Sequence, residues 1–75
     1  MDREMKLDKF IAIRTFLEKS QPEFAEFLGV SPSNIYMIEK GSRRISKQMI
    51  GRIAKKFDES SEFIEYYQRT KKLVD

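Results

Sequence analysis

Between Lys40 and Phe57 the chain carries seven cations, Lys40, Arg43, Arg44, Lys47, Arg52, Lys55 and Lys56, and no acidic residue. The stretch before it holds five Lys/Arg against seven Asp/Glu, and the stretch after it three against five, so a net charge of +3 conceals a block of +7 between two segments of −2. A single lysine is ordinarily a solvated surface residue, but seven cations without an acidic neighbour make a face for a polyanion. That chemistry is attraction rather than bond-making. The chain has no cysteine and no histidine, which removes thiolate nucleophiles, disulfides, and the commonest metal ligand and general base. No catalytic constellation is expected, and no cofactor or metal.

A second group of residues precedes the basic block, in GVSPSNIYMIEKG, residues 29–41. If this stretch is helical, a turn of about 100° per residue puts Ile35 and Ile38 on one face. Ser33, Tyr36, Met37 and Lys40 fall on the other. Apolar residues exposed singly need no explanation. Here, however, hydroxyls, an aromatic ring and a thioether share one outer face, and the cations follow directly after it.

The elements that must carry these residues read as helices throughout. Apolar residues at Leu7, Phe10, Ile11 and Leu17 form one stripe of a first helix. Ser20 and Glu23 then have capping-box spacing, with Pro22 in the first turn, and a short second helix runs from Gln21 to Leu28 over Phe24, Ala25 and Leu28. Gly29 ends it in the left-handed conformation. Ser31 caps a third helix with Pro32 at its first position, and Gly41 closes it. A fourth begins near Ser46 and is expected to bury Ile50, Ile53, Ala54 and Phe57. A fifth, from Ser60 or Ser61 to about residue 73, carries Phe63, Ile64, Tyr66 and Tyr67. With 75 residues and no linker, repeat or low-complexity stretch, residues 1–75 are expected to form one all-α domain with a small core. No apolar run approaches the roughly 20 residues needed to span a bilayer, and MDREMKLDKF is too charged for a signal peptide, so the expected location is the cytoplasm.

Two helices joined by a short glycine-containing turn, the second presenting a free outer face, form a helix-turn-helix. The stretch SQPEFAEFLGVSPSNIYMIEKGSRRIS resembles the Cro/C1-type (XRE-like) helix-turn-helix family of phage and bacterial repressors. The residues that carry the resemblance are Gln21, Ala25, Leu28, Gly29, Val30, Ser31, Ile35, Ile38, Glu39, Gly41, Arg43 and Arg44, and the likeness extends over residues 7–60, with the motif at 20–41. It implies a five-helix, lambda-repressor-like DNA-binding fold in which the third helix enters the major groove. On that resemblance Pro32, Ser33, Tyr36 and Met37 face the bases, while Gln21, Lys40, Ser42, Arg43 and Arg44 hold phosphates. The partner implied is double-stranded DNA in a bacterial or phage-infected cell, bound by a homodimer on a two-fold site. The chain departs from the family's usual pattern at Pro32 and Met37, which cannot make the bidentate base contacts of Gln, Asn or Arg. That departure, with the Tyr36/Met37 face, leaves a second reading: the same fold used as a protein-interaction module such as an antirepressor or antitoxin.

Two further features bear on the fold. Arg14 falls in the middle of the first helix's apolar stripe, so it must snorkel or find a partner. Glu39, at the edge of the third helix's buried face, is the candidate, and the resemblance implies the same Arg–Glu pair. The aromatic residues of the last helix either complete the core or form an interface between subunits, and Phe16 and Phe27 either extend that interface or are covered by the fifth helix.

Overall fold

The computed structural model of the protein describes residues 4–74, and all regular structure among the described residues is helical: α1 (Leu7–Phe16), α2 (Gln21–Leu28), α3 (Pro32–Lys40), α4 (Lys47–Lys56) and α5 (Ser61–Val74). Local chemistry sets most of the helix ends. At α2 the Ser20 hydroxyl accepts from the Glu23 N–H at 3.2 Å and the Glu23 carboxylate accepts from the Ser20 N–H at 2.8 Å, a closed capping box. The backbone N–H of Ser20 and then its hydroxyl hold the Glu23 carboxyl below its ordinary range. Ser46 caps α4 by accepting from the Met49 N–H at 3.1 Å, and Ser60 caps α5 by accepting from the Phe63 N–H at 3.1 Å.

The three tight turns share one construction. After α2, Gly29 (φ 74°) donates to the Glu26 carbonyl and Val30 to the Ala25 carbonyl; after α3, Gly41 (φ 88°) donates to Ile38 and Ser42 to Met37. These are Schellman closures, which satisfy orphan carbonyls and require a left-handed residue. The turn after α1 repeats the pattern, Glu18 donating to Thr15 and Lys19 to Arg14, but the left-handed position is filled by Glu18 at φ 55°. A residue with a Cβ is strained there.

The buried core comprises Phe10, Ala12 and Ile13 of α1, Phe24, Ala25 and Leu28 of α2, Ile35 and Ile38 of α3, Met49 and Ile53 of α4, and Phe63 of α5. Each of the Phe, Ile, Leu and Met side chains among them contributes roughly 1.5–3 kcal/mol. The Phe10 ring meets Phe24 edge-on at 5.5 Å, and Phe63 is met edge-on by Phe16 at 5.3 Å and Phe57 at 5.0 Å while Tyr67 stacks on it at 5.9 Å. Polar ties also join α1 to α5: Tyr67 donates to Asp8 at 2.8 Å, the hydroxyls of Thr15 and Tyr66 lie 2.6 Å apart, and Lys9 pairs with Glu59 just before α5.

Two expectations about the core need correction. Because α1 packs against both α3 and α5, it buries Ala12 and Ile13 beside Phe10, and Ile11 is only half-buried. On α4 the inward residues are Met49 and Ile53; Ile50 and Phe57 are half-buried and Ala54 is exposed. Phe57 lies past the helix in extended conformation (φ −138°), so it cannot anchor the last turn of a helical stripe. The longer Met49 reaches the core instead, which turns the small Ala54 outward. On α5, Ile64 is exposed. Phe16 is covered by Phe57, Phe63 and Tyr66, whereas Phe27 stacks on Phe24 at 6.1 Å with the ammonium groups of Lys19 and Lys56 over its ring. Among the described residues no helix is long and apolar enough to cross a membrane.

Candidate nucleic-acid interface

The outer face of α3 is built by what its inner face must do. Ile35 and Ile38 are buried against the rest of the core, and this fixes the rotation of the helix. Tyr36 is therefore 52% exposed, Pro32, Ser33 and Lys40 are exposed, and Met37 is half-buried. The Lys40 ammonium sits 5.7 Å from the centre of the Tyr36 ring, one helical turn back, as a cation–π pair. At the helix N-terminus Ser31 takes the capping position in extended conformation, but its hydroxyl does not bond a backbone N–H of α3 as a cap would; it lies 3.2 Å from the Ser33 hydroxyl. Two exposed hydroxyls thus stand at the positive end of the helix dipole.

At the other end, the left-handed Gly41 throws the chain off the helix axis, leaving Ser42, Arg43 and Arg44 exposed. Arg43 turns back onto the helix, its Nη1 donating to the Asn34 Oδ1 at 2.9 Å. Sequence reasoning does not find Asn34, because nothing in its neighbourhood distinguishes it from any polar residue on a helix flank.

Behind this face lies a polar hub. Arg14 Nε donates to Glu39 Oε2 at 2.6 Å, Arg14 Nη2 to Glu39 Oε1 at 2.9 Å, and Arg14 Nη1 to the Lys19 carbonyl at 2.9 Å. Gln21 Nε2 adds a donation to Glu39 Oε1 at 3.0 Å. The two charged side chains are only 17% and 8% exposed, a setting in which ionised groups need this many partners. The hub joins α1, the turn after it, the start of α2, and α3. It therefore fixes the first residue of α2 relative to the outer face of α3. Gln21 spends one amide hydrogen on Glu39, and its second hydrogen remains for another acceptor.

The cations of the basic block fall into separate places. Lys40, Arg43 and Arg44 cluster at the C-terminal end of α3 and in the loop after it, while Lys47, Arg52, Lys55 and Lys56 lie on α4. Arg52 Nη1 donates to the carbonyls of Leu28 at 3.0 Å and Gly29 at 3.4 Å, clamping the turn between α2 and α3 from behind. No sequence pattern signals this role.

The arrangement is a helix held by its inner face, free along its outer face, with hydroxyls at one end and cations at the other. Compared with known protein families, residues 12–64 match the model of a helix-turn-helix family; no similar curated protein and no similar solved structure was found. The matched segment runs from within α1 to within α5 and includes the hub, both turns of the motif and the whole basic block. With that match over most of its length, the chain belongs to the Cro/C1-type helix-turn-helix family of DNA-binding regulators.

Proposed function

We propose that this regulator is a repressor that occupies a two-fold operator as a homodimer, in the cytoplasm of a bacterial or phage-infected cell, and blocks transcription from the promoter it covers. The observation that carries the reading is the outer face of α3, where Tyr36 is 52% exposed on a helix whose inner isoleucines are buried. Inserted in the major groove, that face offers Pro32, Ser33, Tyr36 and Met37 to the bases. The Ser33 and Tyr36 hydroxyls can donate or accept at base edges, and Met37 and Pro32 suit the thymine methyl. DNA shape supplies the rest of the preference. Gln21 meets a phosphate through its backbone N–H at the start of α2 and its second amide hydrogen, and Lys40, Ser42, Arg43 and Arg44 hold the backbone beyond the C-terminal end of α3. A homodimer on DNA presents two such helices to half-sites one helical turn apart, about 34 Å. The exposed Ile64 and Leu73 of α5 support a subunit contact through that helix.

Selection from a random duplex pool followed by fluorescence anisotropy at several salt concentrations tests the reading. An inverted repeat should emerge. Arg43→Ala and Arg44→Ala should weaken binding to all duplexes and flatten the log–log salt dependence by roughly one unit per lost phosphate contact. Ser33, Tyr36 or Met37 replacements should keep the slope and change the preferred base pairs, by about 1–3 kcal/mol for a good contact. The second reading, an antirepressor or antitoxin module, is favoured by Pro32 and Met37 in place of amide readers. It prevails if the wild-type protein shows no duplex preference and Tyr36 or Met37 replacements abolish binding to a protein partner.

A further inference from the structure

Four cations of the basic block, Lys47, Arg52, Lys55 and Lys56, lie on α4 and have no part in the DNA contacts proposed above. We propose that the cleft between α2 and α4, lined by Leu28, Gln48, Gly51, Arg52, Lys55 and Lys56, seats the DNA sugar-phosphate backbone that bounds the major groove at the N-terminal end of α3. This rests on the DNA reading of α3 and extends it to the opposite wall of the groove.

Three observations converge on the cleft. The first is its charge. It has a volume of about 450 Å³, α4 contains no acidic residue, and none of its cations is ion-paired among the described residues. The second is the glycine in its lining. Gly51 lies in the interior of α4, where glycine costs roughly 0.5–1 kcal/mol relative to alanine, yet a Cβ built there meets nothing within 4 Å. No neighbour within the chain requires the missing side chain. The helix backbone at Gly51 is therefore open to a group approaching from outside more closely than a methyl would permit.

The third observation is place. Arg52 Nη1 lies 3.0 Å from the Leu28 carbonyl and 3.4 Å from that of Gly29, so the cleft adjoins the turn from which α3 emerges. The nine residues of α3 span about 13 Å at 1.5 Å per residue, and the major groove is about 12 Å wide. A helix of that length lying across the groove has one backbone strand near each end. Lys40, Arg43 and Arg44 serve the strand at the C-terminal end; the cleft serves the strand at the other. Lysine ammonium groups act as compact charges toward phosphate, and Arg52, with one nitrogen on the turn carbonyls, retains its other N–H groups for the same ligand.

The test uses the full chain on a selected duplex, with a polyglutamate peptide as a second probe. Gly51→Ala should melt at a higher temperature than the wild type and yet bind the duplex more weakly, by roughly tenfold for the loss of one contact. Lys55→Ala should flatten the log–log salt dependence by about 0.9. If both variants bind the duplex as the wild type does while Arg43→Ala weakens it, the cleft is no DNA contact and the reading of α3 survives alone. If they are neutral on the duplex and lose binding to polyglutamate, the cleft docks an acidic protein segment and the proposal is overturned. A wild-type chain that binds no duplex at any salt concentration would remove both readings together.

Discussion

Replacing Arg14 by alanine should be among the most damaging single changes in this protein, and its size can be reasoned from the hub. The substitution deletes two hydrogen bonds to the Glu39 carboxylate and one to the Lys19 carbonyl. It leaves Glu39, 8% exposed, with the Gln21 amide as its remaining partner in the hub. Removing one partner of a buried pair costs about 3–5 kcal/mol, mostly because the surviving charge is stranded. A solvent-exposed pair would contribute at most about 1 kcal/mol. The residual exposure of Arg14 favours the lower end of the first range, about 3 kcal/mol. For a domain of this size that lowers the melting temperature by roughly 12–24 °C. Glu39→Ala should cost a similar amount by stranding the guanidinium. Replacing both together, Arg14 by Met and Glu39 by Leu, should cost far less than the two single changes added, because no charge is left behind. Urea unfolding followed by circular dichroism at 222 nm measures all three. Single changes below about 1 kcal/mol that simply add would refute the argument, because they are the behaviour of a solvated pair.

Three other predictions follow from single contacts. Burial, and then the hydrogen bond to Asp8, push the Tyr67 hydroxyl up to about 12; a raised folded value stabilises fully below the unfolded value near 10 and is lost as pH rises toward 12. Stability should therefore decline across that window more steeply in the wild type than in Tyr67→Phe, and parallel urea midpoints between pH 9 and 11.5 would contradict this. Gly29→Ala should destabilise by about 1–2 kcal/mol, since φ is 74° and the added carbon would lie 3.2 Å from Arg52 Nη1, whereas Glu18→Gly should be neutral or stabilising; thermal melts of the two variants must move apart. Met49→Ala should cost about 2–4 kcal/mol and Ala54→Ser less than about 0.5 kcal/mol in the same denaturation assay, and equal effects would mean that α4 presents a different face to the core.

How much of this is legible in the sequence depends on how local the cause is. Both ends of α2 are legible because Ser20, Glu23 and Gly29 each act on backbone groups within a few residues of themselves. The two-sided burial of α1 is not, because it arises from α3 and α5 arriving on different sides of one helix, and a single apolar stripe cannot express that. The stripe Ile50, Ile53, Ala54, Phe57 has ideal spacing and is still misleading. Phe57 leaves the helix, and Met49 has the reach to take the inward position. At the candidate interface the isoleucines of α3 dictate which face is outward, so Ser33, Tyr36 and Met37 stand out from their spacing alone. Arg14's need of a partner is legible from its apolar surroundings, whereas Gln21's donation to the same carboxylate, Asn34's hold on Arg43 and Arg52's clamp on the turn depend on tertiary distances that no local pattern encodes.

The bond from Arg43 to Asn34 makes the cation and the helix a single mechanical part. A free arginine on a loop samples many rotamers, and immobilising such a side chain on binding costs about 0.5–1.5 kcal/mol. Here Nη1 is already engaged at 2.9 Å, so if Arg43 meets a phosphate as proposed, part of that ordering precedes the encounter with DNA. In the proposed interface the same bond would tie two kinds of contact that are otherwise separable: a shift of α3 that improves its fit to one base pair would carry the guanidinium with it along the strand. Preference among sequences and strength of attachment would then be coupled through the Asn34 amide.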